Sequence, residues 1–457
     1  MSIAEKVDEG VAAPERGRTF FGEPIGLAYL SFTEAWERFS YYGMTALLVL
    51  YMSQWLFLPG RVEHVAGFTA FRAGVESIFG KMSTLALASL VYGLYTGFVY
   101  FTPVFGGWIA DRFIGRRRAV TTGAILMSIG QISMAFDASF LMALALLVIG
   151  CGLLKGNISV QVGALYTADD HAGRTRGFSI YSMGINFGAT VGPLLCGLLA
   201  QVYGWHAGFA LSGGLMLLGL VTYIAGYRTL TETTPAQNRA QPDVKLTRGD
   251  WIVVAALIGV MLLTIFQSIA YYQNSNIALI WINEHVDLNF FGFRVPTAWF
   301  NSIDPLVSIV SVPFLIALWK WQSRHGGEPA EIGKIGMGAI IAAAANLCLA
   351  AGSAFFTRVP VILPILYDVL LGVAFLYYWP TLLALVSRAA PPAIKSTMMG
   401  VAFLTLFLSN FTIGWIGGLY EHMSPAAFWT MHAAVAACGA VLAFLLAKPL
   451  GRVLDHG

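Results

Sequence analysis

Long apolar runs alternate with short polar segments along almost the whole chain. A helix needs about 20 apolar residues to cross a bilayer, and twelve runs reach that length. The runs lack the two-residue alternation of a membrane β-barrel, so the pattern predicts an all-α membrane protein with twelve transmembrane helices. The predicted spans are 26–57, 84–110, 118–136, 139–166, 176–203, 207–227, 251–283, 297–321, 333–355, 359–387, 396–420 and 425–449.

The composition agrees with a location in the lipid bilayer. Of the 457 residues, 57% are hydrophobic and 11% are charged, whereas soluble domains carry about 25% charged residues. The net charge of +3 is too small to indicate nucleic-acid binding. The four cysteines occur singly in apolar runs, which favours small buried thiols over a metal site or a disulfide framework. They are Cys151, Cys196, Cys348 and Cys438.

The distribution of Lys and Arg predicts the orientation of the chain. An even number of spans places both termini on one side. With both termini in the cytoplasm, 20 of the 27 Lys and Arg residues lie in cytoplasmic segments and 5 on the opposite face. Cytoplasmic loops are enriched in these residues, so we expect cytoplasmic termini and, in a bacterial cell, insertion in the inner membrane. Residues 1–18 are polar and have no apolar core, so the segment 1–25 is predicted to be a cytoplasmic tail rather than a signal peptide.

A polar segment, 229–250, divides the predicted spans into six before it and six after it. Its Pro, Gln, Asn and charged residues predict a cytoplasmic linker. The predicted bundles are 26–228 and 251–450, followed by a short cytoplasmic tail, 451–457. Two six-helix bundles joined in this way resemble the major facilitator superfamily, in which the substrate site lies between the halves near the middle of the membrane.

The loop after the second span reads GGWIADRFIGRRR. It resembles the superfamily motif G-x-L-A-D-R-x-G-R-R, with Ile109 in place of Leu and one residue added before Gly115. Asp111, Arg112 and Arg116 are therefore predicted to form a charge clamp that breaks when the bundles move. The alternative for the arginines is a cytoplasmic turn that only follows the positive-inside rule.

The first span carries the stretch EAWERFSYYG, with Glu34, Glu37 and Arg38 in five positions. Each charge near the bilayer centre costs roughly 2.5–3.5 kcal/mol on insertion scales. Glu34, Arg38 and Tyr41 fall within about 40° of one direction on a helix, so this stripe faces another helix or a water-filled cavity. Glu34 and Arg38 are spaced i,i+4 in the favourable acid-before-base order for an ion pair, and a packing ion pair needs only one Glu. The second Glu favours a carboxylate whose proton occupancy changes during transport.

EAWERFSYYG also matches, without exception, the E-x-x-E-R-F-x-Y-Y-G motif of the proton-dependent oligopeptide transporter family. Three more segments resemble family motifs in part: GCGLLKGNIS at 150–159, YSMGINFG at 181–188 and WFNSIDP at 299–305. The resemblance extends over all twelve spans and is strongest in the first half. It implies a proton-coupled peptide carrier with the fold of the major facilitator superfamily.

The resemblance assigns the peptide's terminal carboxylate to Arg38 and Lys155. The chemistry agrees, because Arg presents a two-pronged fork to a carboxylate and Lys a point charge. Lys155 has no acid on its own span. Its partner is therefore expected to be Glu34, Glu37 or the substrate.

Four further residues receive roles through the resemblance. Tyr41, Tyr42 and Tyr100 are implied to line the substrate cavity, with service as core or interface aromatics as the alternative. Asn186 corresponds to an Asn that helps to hold the peptide's amino terminus. A buried Asn also needs hydrogen-bond partners for packing alone.

The chain departs from the family at acidic positions. Tyr271 stands where family members commonly have a helix 7 acid, and Phe375 where they commonly have a helix 10 Glu near the peptide's amino group. Asp304 stands where they have Asn, and we expect it to replace the missing helix 10 carboxylate. Capping of a helix before Pro305 is the alternative role, and Asp368 is a weaker candidate for the same substitution.

The combined prediction is a symporter that imports di- and tripeptides by alternating access, with Glu34, Glu37 and Arg38 coupling proton to substrate. The proton is the coupling ion, and no metal, organic cofactor or catalytic residue is expected. We expect the chain to act as a monomer in the lipid bilayer, because each pair of bundles encloses its own pathway.

Three other functions were weighed against this one. The first is a proton-coupled carrier of another carboxylate-bearing metabolite, because Tyr271 and Phe375 remove the usual acids. A drug exporter is disfavoured, because a paired Arg and Lys suit anions rather than cationic drugs. A membrane enzyme is disfavoured because the sequence contains no H-x-x-x-x-D, H-E-x-x-H or G-x-S-x-G pattern.

Overall fold

The computed structural model describes residues 19–167, 170–230, 246–325 and 327–455. These ranges contain fourteen α-helices and two short β-hairpins, joined by short 3-10 and π-helical turns. The helices are α1 (Ile25–Tyr51), α2 (Phe68–Phe79), α3 (Thr84–Ile109), α4 (Arg116–Ser133), α5 (Phe140–Gly163), α6 (His171–Tyr203), α7 (Trp205–Ala225), α8 (Arg248–Tyr272), α9 (Ile277–His285), α10 (Ile303–Arg324), α11 (Glu331–Phe355), α12 (Ile362–Ala389), α13 (Lys395–Gly417) and α14 (Pro425–Asp455). The antiparallel strand pairs are β1 (Thr19–Phe20) with β2 (Glu23–Pro24), and β3 (Asn289–Phe290) with β4 (Phe293–Arg294).

Ten helical segments of the described chain are long and apolar enough to cross a membrane. The other two spans are formed by α1, which holds Glu34, Glu37 and Arg38, and by α4, which begins on three arginines. These charges lower the hydropathy of both helices. The predicted fold class, an all-α membrane protein with twelve transmembrane helices, is confirmed.

The sequence predicts one helix over 251–283 for the seventh span, whereas the structure divides this span into two helices. Helix α8 ends at Tyr272, a 3-10 turn follows, and Asn276 leaves the helical conformation before α9 begins. Apolar residues continue across the break, so the hydrophobic pattern does not reveal it. Non-helical backbone inside a membrane needs protein partners. Gln273 Oε1 supplies one by accepting from the Ile277 amide at 3.4 Å, and the Asn276 side chain donates to Ser89 Oγ at 2.8 Å.

The segments predicted as linker and tails fall partly outside the described residues. Of the linker 229–250, residues 231–245 are not described, and α8 begins inside it with a capping box formed by Thr247 and Asp250. Of the tail 1–25, only 19–25 is described, as β1, β2 and the start of α1. Helix α14 continues through 451–455, and residues 456–457 are outside the description.

Two of the four cysteines do not fit the prediction of buried thiols. Cys151 and Cys196 are buried, whereas Cys348 is partly exposed and Cys438 is exposed. Cys438 lies on α14, which presents several large apolar residues on its outer surface. An apolar segment of a membrane protein faces lipid as readily as protein, so the apolar pattern alone does not predict burial.

The helices pack as two groups. In the first, α1 packs against α6 and α7, while α4 packs against α5 and α7. In the second, α11 packs against α12 and α14, and α10 packs against α12. The groups meet where α3 contacts α13, where α6 contacts the 3-10 segment Thr297–Ser302, and where α1 contacts α9.

These contacts hold the halves together at one end of the molecule, opposite the described termini, which we call the closed end. Gly93 and Gly414 let α3 and α13 approach so closely that a Cβ on Gly414 would lie 2.9 Å from the Gly93 Cα. Ser89 Oγ donates to the Gly414 carbonyl at 3.0 Å. Trp299 Nε1 donates to the Leu194 carbonyl at 2.8 Å across the other side of the interface.

Towards the other end, which we call the terminus end, the halves are separated by a groove of about 700 Å³. Helix α6 lines it with residues that include Arg174, Met183 and Asn186, and α10 lines it with Ile309 and Val312. The structure therefore has one end at which the halves are in contact and one end at which a groove separates them.

Candidate functional site

A buried group of charges lies on α1 and α5. Glu34 and Arg38 are each 3% exposed and Glu37 is fully buried. Arg38 Nε lies 3.1 Å from Glu34 Oε1, the pair predicted by the i,i+4 spacing, and also forms an ion pair with Glu37. Lys155 on α5 interacts electrostatically with Glu37. We call these four residues the charge cluster.

Lys155 changes the charge balance expected from α1 alone. Two carboxylates and two cations make the charge cluster neutral when all four groups are ionised. The Lys155 Nζ also lies 4.4 Å from the centre of the Tyr100 ring, within cation–π range. The sequence identified Lys155 as a cation in need of an acid, and the packing of α5 brings Glu34 and Glu37 within its electrostatic range.

The charge cluster retains unused hydrogen-bonding capacity. Among the described residues, Arg38 Nη2, Glu34 Oε2 and Glu37 Oε1 are buried and have no hydrogen-bond partner. A buried polar atom without a partner is costly. An incoming carboxylate would satisfy Arg38 Nη2, and a proton would satisfy Glu37 Oε1.

Close packing of α1 against α6 positions the charge cluster. A Cβ on Gly188 would lie 2.6 Å from Phe39 N and 2.9 Å from Arg38 Cβ. Only glycine therefore allows α6 to lie directly behind Arg38.

We expect Gly188→Ala to destabilise the protein by roughly 1–3 kcal/mol, because the added methyl group meets backbone atoms that have no room to move. Thermal unfolding in detergent measures this as a lower Tm. Gly214→Ala on α7 is the matched control, since its Cβ meets nothing within 4 Å. Equal Tm values for the two variants would contradict this account of how α6 positions α1.

Aromatic side chains surround the charge cluster. The Tyr41 ring lies 5.3 Å from Arg38 Cζ and 5.2 Å from the Tyr42 ring. The Tyr100 ring on α3 lies 6.3 Å from that of Tyr272 on α8, across the interface between the halves. The structure thus brings Tyr41, Tyr42 and Tyr100 together beside the charge cluster, and two of them, Tyr42 and Tyr100, are only partly buried.

Asp304 lies in the second half and is 6% exposed. It accepts a hydrogen bond from the Tyr271 hydroxyl, and Ser308 Oγ lies 3.5 Å from its Oδ1. Its described hydrogen bonds thus come from side chains, whereas a capping role would require a backbone amide. The Tyr271 ring stacks on Phe375 at 5.6 Å. The two positions where acids were expected therefore touch each other.

Tyr42 links the two parts of the site. Its side chain lies within electrostatic range of Arg38 on its own helix and of Asp304 in the other half. The pairing of Tyr271 with Asp304 and the bridging position of Tyr42 were missed by sequence reasoning. The first joins α8 to α10 and the second brings α1 near α10, and no spacing along the chain signals either of them.

Asn186 occupies a different part of the interface. It lines the groove between α6 and α10, and its Nδ2 donates to the Ser182 carbonyl of its own helix at 3.1 Å. No described hydrogen bond joins it to the charge cluster.

The motif residues after α3 form a turn at the terminus end. Asp111 lies in a π-helical segment, Ala110–Ile114, that ends on Gly115 with φ of +79°. A π-turn holds one extra residue, which accommodates the insertion noted in the motif. Arg116 Nε contacts Asp111 Oδ1 at 3.0 Å, so this described pair closes the turn within one half, and Arg112 is exposed.

Comparison with known proteins identifies the wider group. Residues 38–414 match the family model for the Major Facilitator Superfamily. The chain is 29% identical to "Peptide transporter YePEPT" of Yersinia enterocolitica, over 96% of this chain and 97% of that protein. It is 26% identical to "Di-/tripeptide transporter" of Lactococcus lactis subsp. cremoris, over 96% and 98% of the two chains.

Solved structures give the same result. A peptide transporter POT in complex with sulfate matches with a TM-score of 0.83 and 26% identity, over 96% of this chain and 97% of that one. A POT family transporter in complex with 5-aminolevulinic acid matches with a TM-score of 0.80 and 25% identity, over 94% and 98%. The chain belongs to the major facilitator superfamily and, within it, to the proton-dependent oligopeptide transporter family.

Proposed function

We propose that this protein is a proton-coupled symporter that imports di- and tripeptides by alternating access. It acts as a monomer in the bacterial inner membrane with both termini in the cytoplasm, and the proton is its coupling ion, without metal or organic cofactor. The observation that carries the proposal is the buried charge cluster, neutral when all four groups are ionised, in which Arg38 Nη2 has no hydrogen-bond partner within the described part of the chain.

Charge balance couples the peptide to the proton. The charge cluster is neutral before binding, and a peptide carboxylate placed on Arg38 and Lys155 adds one negative charge to a buried site. An uncompensated buried charge is costly. A proton on Glu37 restores neutrality and frees Arg38 from one of its two acids. Carboxylate and proton therefore bind together more favourably than either binds alone.

The position of the groups on two halves explains how binding drives the change of access. Arg38 and Lys155 belong to the first half, whereas Asp304 belongs to the second. A peptide has a carboxylate at one end and an ammonium group at the other. Its carboxylate binds Arg38 and Lys155 and its ammonium group binds Asp304, so a bound peptide favours the arrangement in which the two halves close around it. The aromatic rings of Tyr41, Tyr42 and Tyr100 border the space between them.

The direction follows from the distribution of basic residues and from the proton gradient. The terminus end carries most of the Lys and Arg, so the open groove faces the cytoplasm. Each charge that moves down 100 mV releases about 2.3 kcal/mol, and each tenfold of accumulation needs about 1.4 kcal/mol. One proton per peptide therefore sustains more than tenfold uptake.

We expect Glu37→Gln to abolish uptake driven by a proton gradient and to preserve exchange of labelled for unlabelled peptide. The amide cannot take up a proton, while Arg38 and Lys155 remain available for the carboxylate. Uptake and counterflow in proteoliposomes measure the two activities. Gradient-driven uptake at the wild-type rate would exclude Glu37 as the coupling group.

The function itself is tested by peptide-dependent acidification. Proteoliposomes loaded with a pH dye, under an inside-negative potential, receive a set of di- and tripeptides. We expect acidification with wild-type protein and none with Arg38→Ala protein. Absence of acidification with a broad peptide set, from folded protein, would overturn the peptide assignment.

One observation favours a second cargo class. A phenol, Tyr271, and an apolar residue, Phe375, occupy the two positions where acids were expected. This alternative is a carrier of another carboxylate-bearing small metabolite that lacks a peptide's terminal amine. Peptides with blocked amino termini, added as competitors in the uptake assay, separate the two hypotheses. Strong inhibition of uptake by blocked peptides favours the alternative cargo, and weak inhibition favours the assignment to peptides.

A further inference from the structure

Two buried acids lie close together in the second half, Asp304 on α10 and Asp368 on α12. They are 6% and 2% exposed. The helices approach closely at Gly372, where a Cβ would lie 2.8 Å from the Asp304 carbonyl oxygen. Ser308 Oγ donates to the Gly372 carbonyl at 3.1 Å. Asp368 lies one helical turn before Gly372 and is within electrostatic range of Asp304.

The described part of the second half offers these acids no cation. Its Lys and Arg residues all lie in loops or at the ends of helices. They are Arg248, Arg294, Lys320, Arg324, Lys334, Arg358, Arg388, Lys395, Lys448 and Arg452. Two desolvated carboxylates without a positive partner cannot both be ionised at low cost. The charge cluster of the first half differs, since Arg38 and Lys155 balance its two acids.

The titratable groups that face the two acids are phenols. Tyr271 on α8 donates its hydroxyl to Asp304, and Tyr42 on α1 interacts with Asp304 from the other half. The Tyr367 hydroxyl is fully buried, lies within electrostatic range of both acids and has no hydrogen-bond partner among the described residues.

Other ionisable groups on the surrounding helices are more remote. His432 on α14 lies behind Trp429, whose ring is 6.1 Å from Tyr367 and 5.8 Å from His432. Charged residues on α6, α11 and α13 near their terminus-end turns are Arg174, Arg176, Glu331, Lys334 and Lys395. Neither set places a cation beside the two acids.

We propose that Asp304 and Asp368 hold one proton between them and that this acid pair is a second proton site of the transporter. The Tyr271 hydrogen bond stabilises the ionised form of Asp304. Asp368, whose Oδ2 has no partner in the described structure, carries the proton. The use of this site in transport rests on the proposed function. Asp304 then receives the peptide ammonium group, while protonated Asp368 adds no second negative charge.

Infrared spectroscopy of the purified protein without substrate tests the site directly. The difference spectrum between wild type and Asp368→Asn at pH 7 is expected to contain the C=O band of a protonated carboxylic acid. Asp287→Asn, which changes an exposed loop acid, is the matched control and is expected to show no difference in the C=O band of a protonated carboxylic acid. Two ionised carboxylates at pH 7, without this band, would overturn the proposal.

The reciprocal variant tests whether the two acids share the proton. In Asp304→Asn protein the negative neighbour is gone, so Asp368 should ionise at a pH at least one unit lower than in wild type. An unchanged midpoint would mean that the acids titrate independently and would also overturn the proposal. The measurement needs no transport substrate. If peptides cause no acidification but the carboxylic-acid band is present, the peptide cargo is rejected and the proposal of the acid pair is retained.

Discussion

Arg38→Ala is expected to abolish peptide uptake and to weaken peptide binding by about 30-fold to several thousand-fold. Removing one partner of a buried charged contact costs roughly 2–5 kcal/mol, and each 1.4 kcal/mol is a factor of ten in affinity. The Arg38 guanidinium connects Glu34 and Glu37, and its Nη2 has no hydrogen-bond partner among the described residues. On the proposed function, its loss removes the fork that binds the peptide carboxylate and leaves Lys155 alone against two acids.

Binding of labelled dipeptide to purified protein measures the loss, and uptake in proteoliposomes measures its consequence. Arg38→Lys separates charge from geometry, because Lys keeps the charge and loses the two-pronged fork. We expect it to bind more weakly than wild type and better than Arg38→Ala. Arg72→Ala is the control, since Arg72 also forms an i,i+4 ion pair, with Glu76 on α2, where its side chain is partly exposed. Wild-type binding by Arg38→Ala would remove Arg38 from the substrate site.

Gly414→Val is expected to reduce uptake by more than tenfold while leaving the protein folded. Its Cβ would lie 2.9 Å from the Gly93 Cα and 3.0 Å from the Ser89 carbonyl oxygen. Carbon atoms pack at about 3.5–4.0 Å, so α3 and α13 would have to separate by about 1 Å or more. The closed end then cannot form, and the carrier remains in the state that opens on that side.

Spin labels at Ser77→Cys and His422→Cys, one on each half in a chain without native cysteines, measure the separation at the closed end. We expect a longer distance in Gly414→Val than in wild type. Gly400→Val on the same helix is the matched control, because its Cβ meets nothing within 4 Å. Wild-type uptake with an unchanged label distance would show that close contact at Gly93 is not required for closure.

Local pattern accounts for the parts of the protein that sequence predicted well. Lengths of apolar runs report how much of each segment lies in lipid, so the number of spans and the fold class were predicted. The i,i+4 spacing of Glu34 and Arg38 predicted their ion pair, because neighbours on one helix face are determined by helix geometry. The candidate residues Tyr41, Tyr42, Tyr100 and Lys155 came from resemblance, and the structure places them around that pair.

Contacts between helices that are far apart in the chain are not indicated by any local sequence pattern. The break before Asn276 is stabilised by Ser89 from the other half, so the apolar pattern of the seventh span alone indicated an unbroken helix. The exposure of Cys438 depends on the peripheral position of α14. Lys155 was recognised as an unpaired cation, but the neutrality of the charge cluster required the packing of α5 beside α1.

The sequence by itself determined the membrane class, the twelve spans and the charged stripe of α1, because these depend on residue type and on periodicity within one segment. Only the tertiary structure decided that Tyr271 donates to Asp304, that Asp368 lies near Asp304 with no Lys or Arg of the described second half beside them, and that the halves meet at Gly93. Each of these contacts joins helices that are far apart in the chain. Hydrophobic periodicity specifies which face of a helix is buried, and the packing of the bundles specifies what that face meets.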